Sequence, residues 1–361
     1  MATIKKITPY KTILITGGAG FIGVNATRHF LKKGWDVVIF DNFSRKGAEE
    51  NVRLLKKETK DTNGVLRVVR GDVVKDLKAL DREAAKADVV LHLAAQVAVT
   101  TSIIDPRADF ETNMVGTFNV LESVRLSKKK PILLYSSTNK VYGSLPHLSV
   151  RESKTRYIFN SHHHAKHGIG ESEQLDFHSP YGCSKGAADQ YVIDYSRMYD
   201  LDTVVFRQSC IYGPHQFGVE DQGWVAWFTI AALLDRPMTI YGSGKQVRDL
   251  LHVSDLIELY DLSIKNIKRT SGNAYNVGGG PSNTISLLEL LTHLEDKMSK
   301  KIQPKRAEIR AGDQPIFIAD IRRLKEELGW EPRHSVHEGW EDMHEWIVHH
   351  QTKIREVLGY L

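Results

Sequence analysis

Seven residues near the start of the chain constrain the fold more than any other feature of the sequence. Positions 17–23 read Gly-Gly-Ala-Gly-Phe-Ile-Gly, directly after the apolar run Thr12–Thr16 and at the start of an amphipathic stretch over 21–33. Such glycines let the backbone turn tightly and approach a diphosphate, and a helix that begins there offers free N–H groups. No Gly-Lys-Ser/Thr follows, so this is not the phosphate loop of nucleotide hydrolases. A glycine turn that serves packing alone is the alternative. The dinucleotide contacts predicted from this turn are Gly17, Gly20, Phe21, Ile22 and Gly23.

An aspartate at the end of the next predicted strand supports a nicotinamide dinucleotide. Asp41 follows the apolar stretch 36–40 and lies 18 residues after Gly23, where a carboxylate binds the hydroxyls of the adenosine ribose. A carboxylate at this place repels a 2′-phosphate, so the sequence favours NAD over NADP. Arg45 and Lys46 would attract such a phosphate and keep NADP open.

Small and polar residues also follow the third and fourth predicted strands. The carboxyl ends of parallel strands meet at one edge of a sheet, where ligands collect. Asp72 is therefore expected near the adenine, and 94–96 near the cofactor. Together with their neighbours, the predicted cofactor contacts from these strand ends are Asn42, Asp72, Val73, Ala94 and Gln96.

Short apolar runs alternate with amphipathic stretches over the first 140 residues. The runs at 65–69, 89–93 and 132–135 are apolar throughout, as is typical of strands covered by helices on both faces. Helices are predicted over 109–125 and from Ser179-Pro180, where a serine cap precedes a proline. The pattern predicts an α/β fold with a Rossmann-type, doubly wound parallel sheet. The apolar period of the second helix is carried by Ala187, Tyr191, Tyr195 and Met198.

The length of 361 residues predicts two domains. We place an NAD-binding Rossmann domain at 1–207, with a returning segment near 250–275, and a smaller α/β substrate domain mainly at 208–361. The polar stretch 144–177 interrupts the alternation and is predicted to be a long loop over the mouth of the active site. Its run of histidines at 162–164 has no matching ligands nearby, so we expect a solvated loop and no metal site.

Charge and cysteine content exclude several classes of protein. The 49 Lys and Arg residues against 44 Asp and Glu residues leave a net charge of +5, too little to indicate a nucleic-acid partner. No run approaches the roughly 18 apolar residues that span a bilayer, and the N-terminus does not resemble a signal peptide. With two cysteines, a disulfide framework is not indicated. We expect a cytoplasmic protein without nucleic-acid or membrane partners.

A tyrosine and a lysine at the start of the second predicted helix suggest acid–base chemistry. Tyr181 and Lys185 are four residues apart and therefore share one face. Tyrosine is a poor base with a pKa of about 10, but a lysine ammonium and a positive nicotinamide favour its phenolate. Such a phenolate takes a proton from a hydroxyl while hydride leaves for NAD. A packing tyrosine with a solvated lysine is the alternative, because this spacing is common.

Taken together, these motifs resemble the extended short-chain dehydrogenase/reductase family, which includes NAD-dependent sugar-nucleotide epimerases and dehydratases. The resemblance covers nearly the whole chain. It rests on the glycine turn, Asp41, Asp72, Asn113, Ser-Ser-Thr at 136–138, Tyr181 and Lys185, Tyr-Gly-Pro at 212–214, Arg248-Asp249 and Arg-Ala-Gly-Asp at 310–313.

The resemblance implies a nucleotide-diphosphate sugar as substrate and roles for individual residues. It implies that Tyr181 is the acid–base, that Lys185 bonds the nicotinamide ribose and that Thr138 hydrogen-bonds the reacting oxygen. Arg248 and Arg310 would clamp the diphosphate, which suits their planar guanidinium, and a surface ion pair is the alternative for each. Further expected contacts are Asn113 with the cofactor and Ser209 with the substrate.

The residues after Thr138 separate the reactions that this family performs. Dehydratases of the family carry an Asp-Glu pair there and decarboxylases carry an acid, whereas this chain has Asn139 and Lys140. Oxidation to a sugar acid would need a cysteine thiolate, and of the two cysteines, Cys183 is expected to pack and Cys210 lies near the motifs. Of the reactions of the family, epimerisation remains. In an epimerisation, tightly bound NAD oxidises a carbinol and is regenerated in the same turnover.

Three longer runs resemble one branch of the family. The runs at 139–143, 178–185 and 210–224 resemble the CDP-paratose 2-epimerase branch, which inverts C2 of a deoxyhexose. Cys210 stands where most family members have Asn. The alternative is a UDP-hexose 4-epimerase.

Two expectations concern partners and the absence of catalysis. A non-catalytic NAD-binding scaffold on the same fold is an alternative. The presence of Thr138, Tyr181 and Lys185 together argues against it.

The helices at 109–125 and 180–199 are expected to pair with a second copy, as in the family, giving a homodimer or homotetramer.

Overall fold

Five apolar runs of the first half of the chain and two later strands form a sheet of seven parallel strands. In the computed structural model, which describes residues 10–310 and 312–360, the first strand lies inside the sheet and the strand order reverses beside it. This is the arrangement of a doubly wound Rossmann sheet, so the predicted fold class is confirmed. From edge to edge the strands are Asn273–Val277, Thr203–Gln208, Ile132–Thr138, Val89–His92, Thr12–Thr16, Asp36–Asp41 and Leu66–Arg70.

Helices cover both faces of this sheet, which explains why its strands are apolar throughout. Ile13 and Ile15 face one cluster with Phe30 and Tyr260, whereas Leu14 between them faces the opposite cluster with Val124. Full burial of such a side chain contributes about 1.5–3 kcal/mol. The covering helices are Phe21–Lys32, Ala48–Glu58, Leu77–Ala84, Val99–Ile104, Pro106–Phe110, Gly116–Leu126, Ser179–Tyr199, Val253–Lys265 and Ile267–Thr270.

The rest of the C-terminal part forms smaller sheets and helices beside the strand ends. Its core contains Trp340 and Met343 packed against Ile230. The chain crosses back to the Rossmann sheet, because Val253–Lys265 packs on Phe21–Lys32 and a later strand forms the sheet edge. The domain boundary at 207 falls inside a strand and stays a prediction. The remaining strands are Cys210–Tyr212, Thr239–Tyr241, Val247–His252, Thr284–Ser286, Lys305–Ala307 and Ile316–Phe317, and the helices are Trp224–Leu233, Leu287–Met298, Arg322–Leu328, Val336–His349 and Gln351–Leu358.

The segment 144–177 is not the loop over the active-site mouth that its polarity suggested. It contains an antiparallel hairpin, Val150–Glu152 with Tyr157–Phe159, and a short helix at His162–His167. Phe159 is buried in a cluster with Phe317, so the segment packs on the C-terminal sheet. None of its residues lines the cavity described below, and that prediction is therefore wrong. Within the described residues, no group of three or more His, Cys, Asp or Glu side chains is placed to hold a metal ion.

The long helix Ser179–Tyr199 has apolar residues on two faces. Val192 and Ile193 are buried against the sheet, whereas Tyr191 and Met198 are exposed, so the stripe that predicted this helix does not all face the core. The neighbouring helix runs on from Pro106–Phe110 through a π-helical turn into Gly116–Leu126. Among the described helices, none is long and apolar enough to span a membrane.

Candidate active site

A cavity of about 570 Å³ opens where the parallel strands end, between the Rossmann sheet and the C-terminal part of the chain. Ligands of open parallel sheets bind at this edge, beside the reversal of strand order. The structure brings most of the predicted site residues to the cavity wall. They are Gly17, Gly20, Phe21, Ile22, Gly23, Asp41, Asn42, Asp72, Val73, Ala94, Thr138, Tyr181, Lys185, Ser209, Arg248 and Arg310.

The glycine turn forms one end of the cavity and leaves no room for side chains. Gly17 has a φ of +67°, and a Cβ on it would lie 2.7 Å from the backbone nitrogen of Ala94. A Cβ on Gly23 would lie 2.5 Å from the carbonyl oxygen of Gly17. The helix Phe21–Lys32 begins after Gly20 without an acidic residue in its first turn, so its N–H groups are available to an anion. The turn therefore fits the diphosphate of NAD.

The adenosine end of the cavity is built around Asp41. Its carboxylate accepts hydrogen bonds from the backbone N–H groups of Ala19 at 3.0 Å and Phe43 at 2.8 Å, which fix its position. Burial raises the pKa of Asp41, and the two hydrogen bonds oppose that rise. The amide of Asn42 donates to Asp72 at 2.9 Å, so two strand ends are joined here. This wall also includes Val73, Arg45 and Lys46.

Two predicted cofactor contacts, Gln96 and Asn113, do not line the cavity. The Asn113 amide nitrogen donates to the Gln96 carbonyl at 3.0 Å, and its oxygen accepts from the Gln96 backbone N–H at 2.9 Å. The Asp109 carboxylate accepts from both side chains, and Asn113 also donates to the Ser184 hydroxyl. Their polar atoms are therefore used in bracing the catalytic helix from behind, which corrects the prediction that they face the cofactor.

Thr138 and Tyr181 meet at the centre of the cavity. Thr138 ends the strand Ile132–Thr138, and Tyr181 lies in the first turn of its helix. The hydroxyl of Ser179 accepts from the Gly182 N–H at 3.2 Å, as a capping serine does. Burial raises the pKa of Tyr181 to about 12, and a hydrogen bond between its side chain and Thr138 opposes this rise. In the protein alone, Tyr181 is therefore a neutral phenol at neutral pH.

Lys185 lies one helical turn beyond Tyr181. Its ammonium donates to the carbonyl of Ser136 at 2.6 Å and lies 4.2 Å from the ring centroid of Tyr135. Burial lowers the pKa of Lys185 to about 7, and the carboxylates of Asp189 and Asp109 oppose this. Lys185 therefore exchanges its proton near neutral pH.

A buried ion pair beneath Lys185 was missed at the level of sequence. Asp189 accepts from Arg207 Nε at 3.0 Å and Nη2 at 2.9 Å, and from the Ser137 hydroxyl at 2.7 Å. Asp189 follows Lys185 by four residues, so helical spacing places the two on one face. That spacing was the available signal, but nothing local in the sequence identifies Arg207 as the partner.

The substrate side of the cavity carries the two predicted arginines, each beside a carboxylate. Arg248 Nη2 lies 3.3 Å from Asp313 Oδ1, and Arg310 Nη2 lies 3.0 Å from Asp221 Oδ1. The Arg310 guanidinium also lies 3.8 Å from the ring centroid of Tyr241. Both the clamp and the ion-pair interpretations of these arginines therefore have a structural basis.

Ser209 and the two cysteines can also be compared with the predictions. The Ser209 hydroxyl donates to the Asp249 carboxylate, so it is already engaged although it lines the cavity. Cys210 lines the cavity, accepts a hydrogen bond from Trp224 Nε1 at 3.3 Å, and has its thiol pKa raised by burial. Cys183 was expected to pack, but it is exposed on its helix and lies outside the cavity wall.

The dinucleotide turn and the Thr-Tyr-Lys set on a Rossmann sheet define an extended short-chain dehydrogenase/reductase. The chain belongs to the NAD-dependent epimerase/dehydratase family of these enzymes, whose members use NAD, and the resemblance seen in the sequence is confirmed. The family model described as GDP-mannose 4,6 dehydratase matches residues 14–343.

Relatives of this chain include epimerases and dehydratases. CDP-paratose 2-epimerase from Salmonella typhi is 45% identical over 341 residues, which cover 92% of this chain and 98% of that protein. UDP-glucose 4-epimerase from Mycolicibacterium smegmatis is 31% identical over 327 residues, covering 90% and 95%. Among solved structures, dTDP-glucose 4,6-dehydratase from Streptomyces venezuelae with NAD and TYD bound superposes with a TM-score of 0.80 at 27% identity, covering 96% of this chain and 99% of that one. UDP-glucose 4-epimerase from Thermotoga maritima with UDP-glucose gives 0.77 at 28% identity, covering 94% and 99%.

Proposed function

We propose that this chain is an isomerase, an NAD-dependent epimerase that converts CDP-paratose to CDP-tyvelose by inverting C2 of the sugar. The observation that carries the proposal is the turn after the catalytic strand, where Thr138 is followed by Asn139 and Lys140. The Asn139 amide donates to Gln314 at 3.1 Å, and the Lys140 ammonium donates to the Gly312 carbonyl at 3.1 Å. The acids that family dehydratases carry at these two positions are replaced by an amide and a cation. Dehydration and decarboxylation are disfavoured for that reason.

The choice of a CDP-linked deoxyhexose is supported by similarity. The Salmonella typhi relative named as CDP-paratose 2-epimerase shares 45% of aligned residues and is matched over 98% of its own length. The UDP-glucose 4-epimerase of Mycolicibacterium smegmatis is 31% identical to this chain, and the dTDP-glucose 4,6-dehydratase of Streptomyces venezuelae is 27% identical. This difference favours the 2-epimerase over the other reactions of the family.

The residues of the chain account for proton transfer in this reaction. Tyr181 takes the proton of the C2 hydroxyl, and Thr138 hydrogen-bonds the same oxygen. Bound NAD accepts hydride from C2 and returns it, so no net oxidation occurs. The keto sugar presents its other face before the return, and Tyr181 gives the proton back to the oxygen. In this proposal Lys185 binds the nicotinamide ribose, and we expect NAD to stay bound between turnovers.

The cysteines do not favour the alternative of a dehydrogenase that makes a sugar acid. That reaction needs a thiolate to attack an aldehyde. Burial raises the pKa of Cys210, which keeps its thiol protonated, and Cys183 lies outside the cavity. A transient oxidation that returns its hydride therefore fits the site better.

A UDP-hexose 4-epimerase is the second candidate. It is favoured by the 31% identity to UDP-glucose 4-epimerase of Mycolicibacterium smegmatis, and the Thr138, Tyr181 and Lys185 set would serve either reaction. The two proposals differ in the nucleotide and in the carbon that is inverted.

Incubation of the purified protein with CDP-, UDP-, GDP- and dTDP-linked sugars, without added cofactor, separates the candidates. We expect only CDP-linked deoxyhexoses to change, with NMR couplings that report inversion at C2. Inversion of UDP-glucose at C4 alone would replace the first candidate with the second. Loss of water or carbon dioxide would exclude both.

The Tyr181→Phe variant tests the assignment of the acid–base. It removes the proton-transferring hydroxyl, and we expect turnover to fall by about 10²- to 10⁴-fold. Bound NAD, measured by its absorbance after denaturation, should stay at the level of the unaltered protein. Retained turnover would show that the base lies elsewhere.

We also propose that the protein is a homo-oligomer, a homodimer or homotetramer, that pairs through the helices Gly116–Leu126 and Ser179–Tyr199. These helices contact each other and expose Phe118, Tyr191 and Leu126, with exposed fractions of 40%, 44% and 68%. The rings of Phe118 and Tyr191 meet edge to face at 6.3 Å and form one apolar surface. A two-fold contact would bury this surface against its own copy.

Sedimentation velocity of Leu126→Glu tests this interface. A charge within a buried apolar contact should shift the protein to a smaller species. Val65→Glu places the same charge at an exposed valine far from these helices and should leave the sedimentation coefficient unchanged. Identical profiles for both variants would exclude this surface as the interface.

A further inference from the structure

Lys140 connects the reacting centre with the loop that carries one of the two arginines. Its backbone N–H donates to the Thr138 hydroxyl at 3.2 Å, and its ammonium donates to the carbonyl of Gly312 at 3.1 Å. Gly312 lies in the loop with Arg310 and Asp313, and Lys140 lines the same cavity as both. A cation is therefore held between the catalytic threonine and the predicted diphosphate clamp.

The turn that carries Lys140 is fixed from two sides. Asn139 donates to Gln314 at 3.1 Å, and Gln314 in turn donates to the Gly143 carbonyl, which ties the turn to the 310–314 loop. On the other side, Gly182 of the helix Ser179–Tyr199 lies beside the Lys140 carbonyl, since a Cβ added to it would be in van der Waals contact with that oxygen at 3.4 Å. The backbone of this turn is therefore fixed by the fold, and the Lys140 ammonium is directed by its hydrogen bond to Gly312.

The charges around Lys140 favour an anion beside it. Burial lowers the pKa of Lys140 to about 8, with the Arg248 guanidinium adding to this effect and Asp313 opposing it. Asp313 is already paired with Arg248, so two cations share one carboxylate. Of the three donors of an ammonium, the Gly312 carbonyl uses one, and Lys140 lines the cavity. A phosphate oxygen would complete this set with a charge-assisted hydrogen bond.

The chemistry of a nucleotide sugar indicates which phosphate this is. C1 of the sugar carries the oxygen that joins it to the β-phosphate, and C2 is bonded directly to C1. C4 lies on the far side of the ring. A reaction at C2 therefore brings the β-phosphate close to Thr138 and Tyr181, whereas a reaction at C4 holds it a ring's width away.

We propose that Lys140 binds the β-phosphate of the substrate and thereby selects C2 as the carbon that faces Thr138 and Tyr181. The inference rests on the proposed 2-epimerase function and adds a specificity-determining residue to it. It assigns Lys140 a role separate from that of the arginines, because its backbone N–H donates to the Thr138 hydroxyl and its ammonium donates to the loop that carries Arg310.

Binding of CDP and CMP to Lys140→Met, measured by calorimetry, tests the proposal without turnover. The two ligands differ by the β-phosphate. Loss of a charge-assisted hydrogen bond should weaken the binding of CDP by about 10- to 100-fold. CMP should bind as it does to the unaltered protein, and this together with unchanged NAD content shows that the fold is retained. Lys268→Met, which removes an ammonium whose side chain is 92% exposed, is the matched control and should change neither ligand.

Each other outcome overturns part of the proposal in a recognisable way. If Lys140→Met weakens the binding of CDP and CMP equally, or does not weaken the binding of CDP, Lys140 is excluded as the β-phosphate ligand. Either result leaves the epimerase assignment intact. Inversion at C4 in the substrate panel would exclude the proposed function and the selection of C2, even if Lys140→Met weakens a nucleoside diphosphate selectively.

Discussion

The buried ion pair beneath Lys185 allows a stability prediction worked directly from the structure. Asp189→Asn removes the negative charge and keeps the shape of the side chain. One of the two carboxylate oxygens becomes an NH₂ group that faces donors of Arg207 or Ser137. The variant therefore leaves a buried guanidinium without its counter-charge.

The cost follows from how completely the pair is buried. The side chains of Arg207 and Asp189 are 5% and 0% exposed, so water cannot replace the missing charge. Breaking a buried pair by removing one partner costs about 3–5 kcal/mol, and because asparagine keeps one acceptor oxygen we expect about 3 kcal/mol. With a urea dependence of about 3 kcal/mol per molar, the unfolding midpoint should fall by about 1 M.

Urea titrations followed by tryptophan fluorescence measure this change. Asp194→Asn, an exposed aspartate on the same helix, is the matched control and should stay within about 0.5 kcal/mol of the unaltered protein. Adding Arg207→Met to Asp189→Asn removes the unpaired cation and should recover part of the loss. A midpoint for Asp189→Asn equal to that of the control, or a further loss in the double variant, would refute the reasoning.

Three further predictions concern single residues of the site. Because burial lowers the pKa of Lys185 from 10.5 to about 7, the unfolded chain binds this proton more readily between those values, and this group makes stability rise with pH across that window. Lys185→Met should lack this contribution, and parallel urea midpoints for both proteins from pH 7 to 10 would contradict it. Gly23→Ala brings a Cβ to 2.5 Å from the Gly17 carbonyl oxygen and should abolish NAD binding. Recovery of one NAD per chain from this variant would contradict the assignment of the glycine turn as the dinucleotide site. Cys210→Ser should lower turnover less than about tenfold, since the thiol takes no part in an epimerisation, and a complete loss would revive the dehydrogenase alternative.

The sheet and the cofactor turn could be predicted because their signals are local. Thr12–Thr16 is predicted and observed with the same bounds, and the next strand differs by one residue, Asp41. Apolar runs, glycine spacing and an acid at a strand end each express a constraint that acts within about 30 residues. The Ser179-Pro180 start signal likewise located the catalytic helix, because capping is a property of one helical turn.

The errors arose where polarity was interpreted without packing. The segment 144–177 looked like a solvated loop, but Phe159 packs in a cluster that includes Phe317, from a distant part of the chain, which no local pattern reports. Gln96 and Asn113 were assigned to the cofactor because of the resemblance and their place at a strand end. The Asn113 side chain bonds the backbone of Gln96, and both side chains donate to Asp109, since a buried amide must be satisfied by whichever polar group the fold brings close.

By itself, the sequence determined the class of fold, the family and the dinucleotide cradle, because each depends on residue types at fixed short spacings. Only the tertiary structure decided how the cavity is charged. Lys140, Arg248 and Asp313 belong to three distant segments, and the pairing of Asp189 with Arg207 depends on a helix packing against a strand. Burial and the distances between charges set the pKa values of Tyr181 and Lys185, and both quantities exist only once the chain has folded.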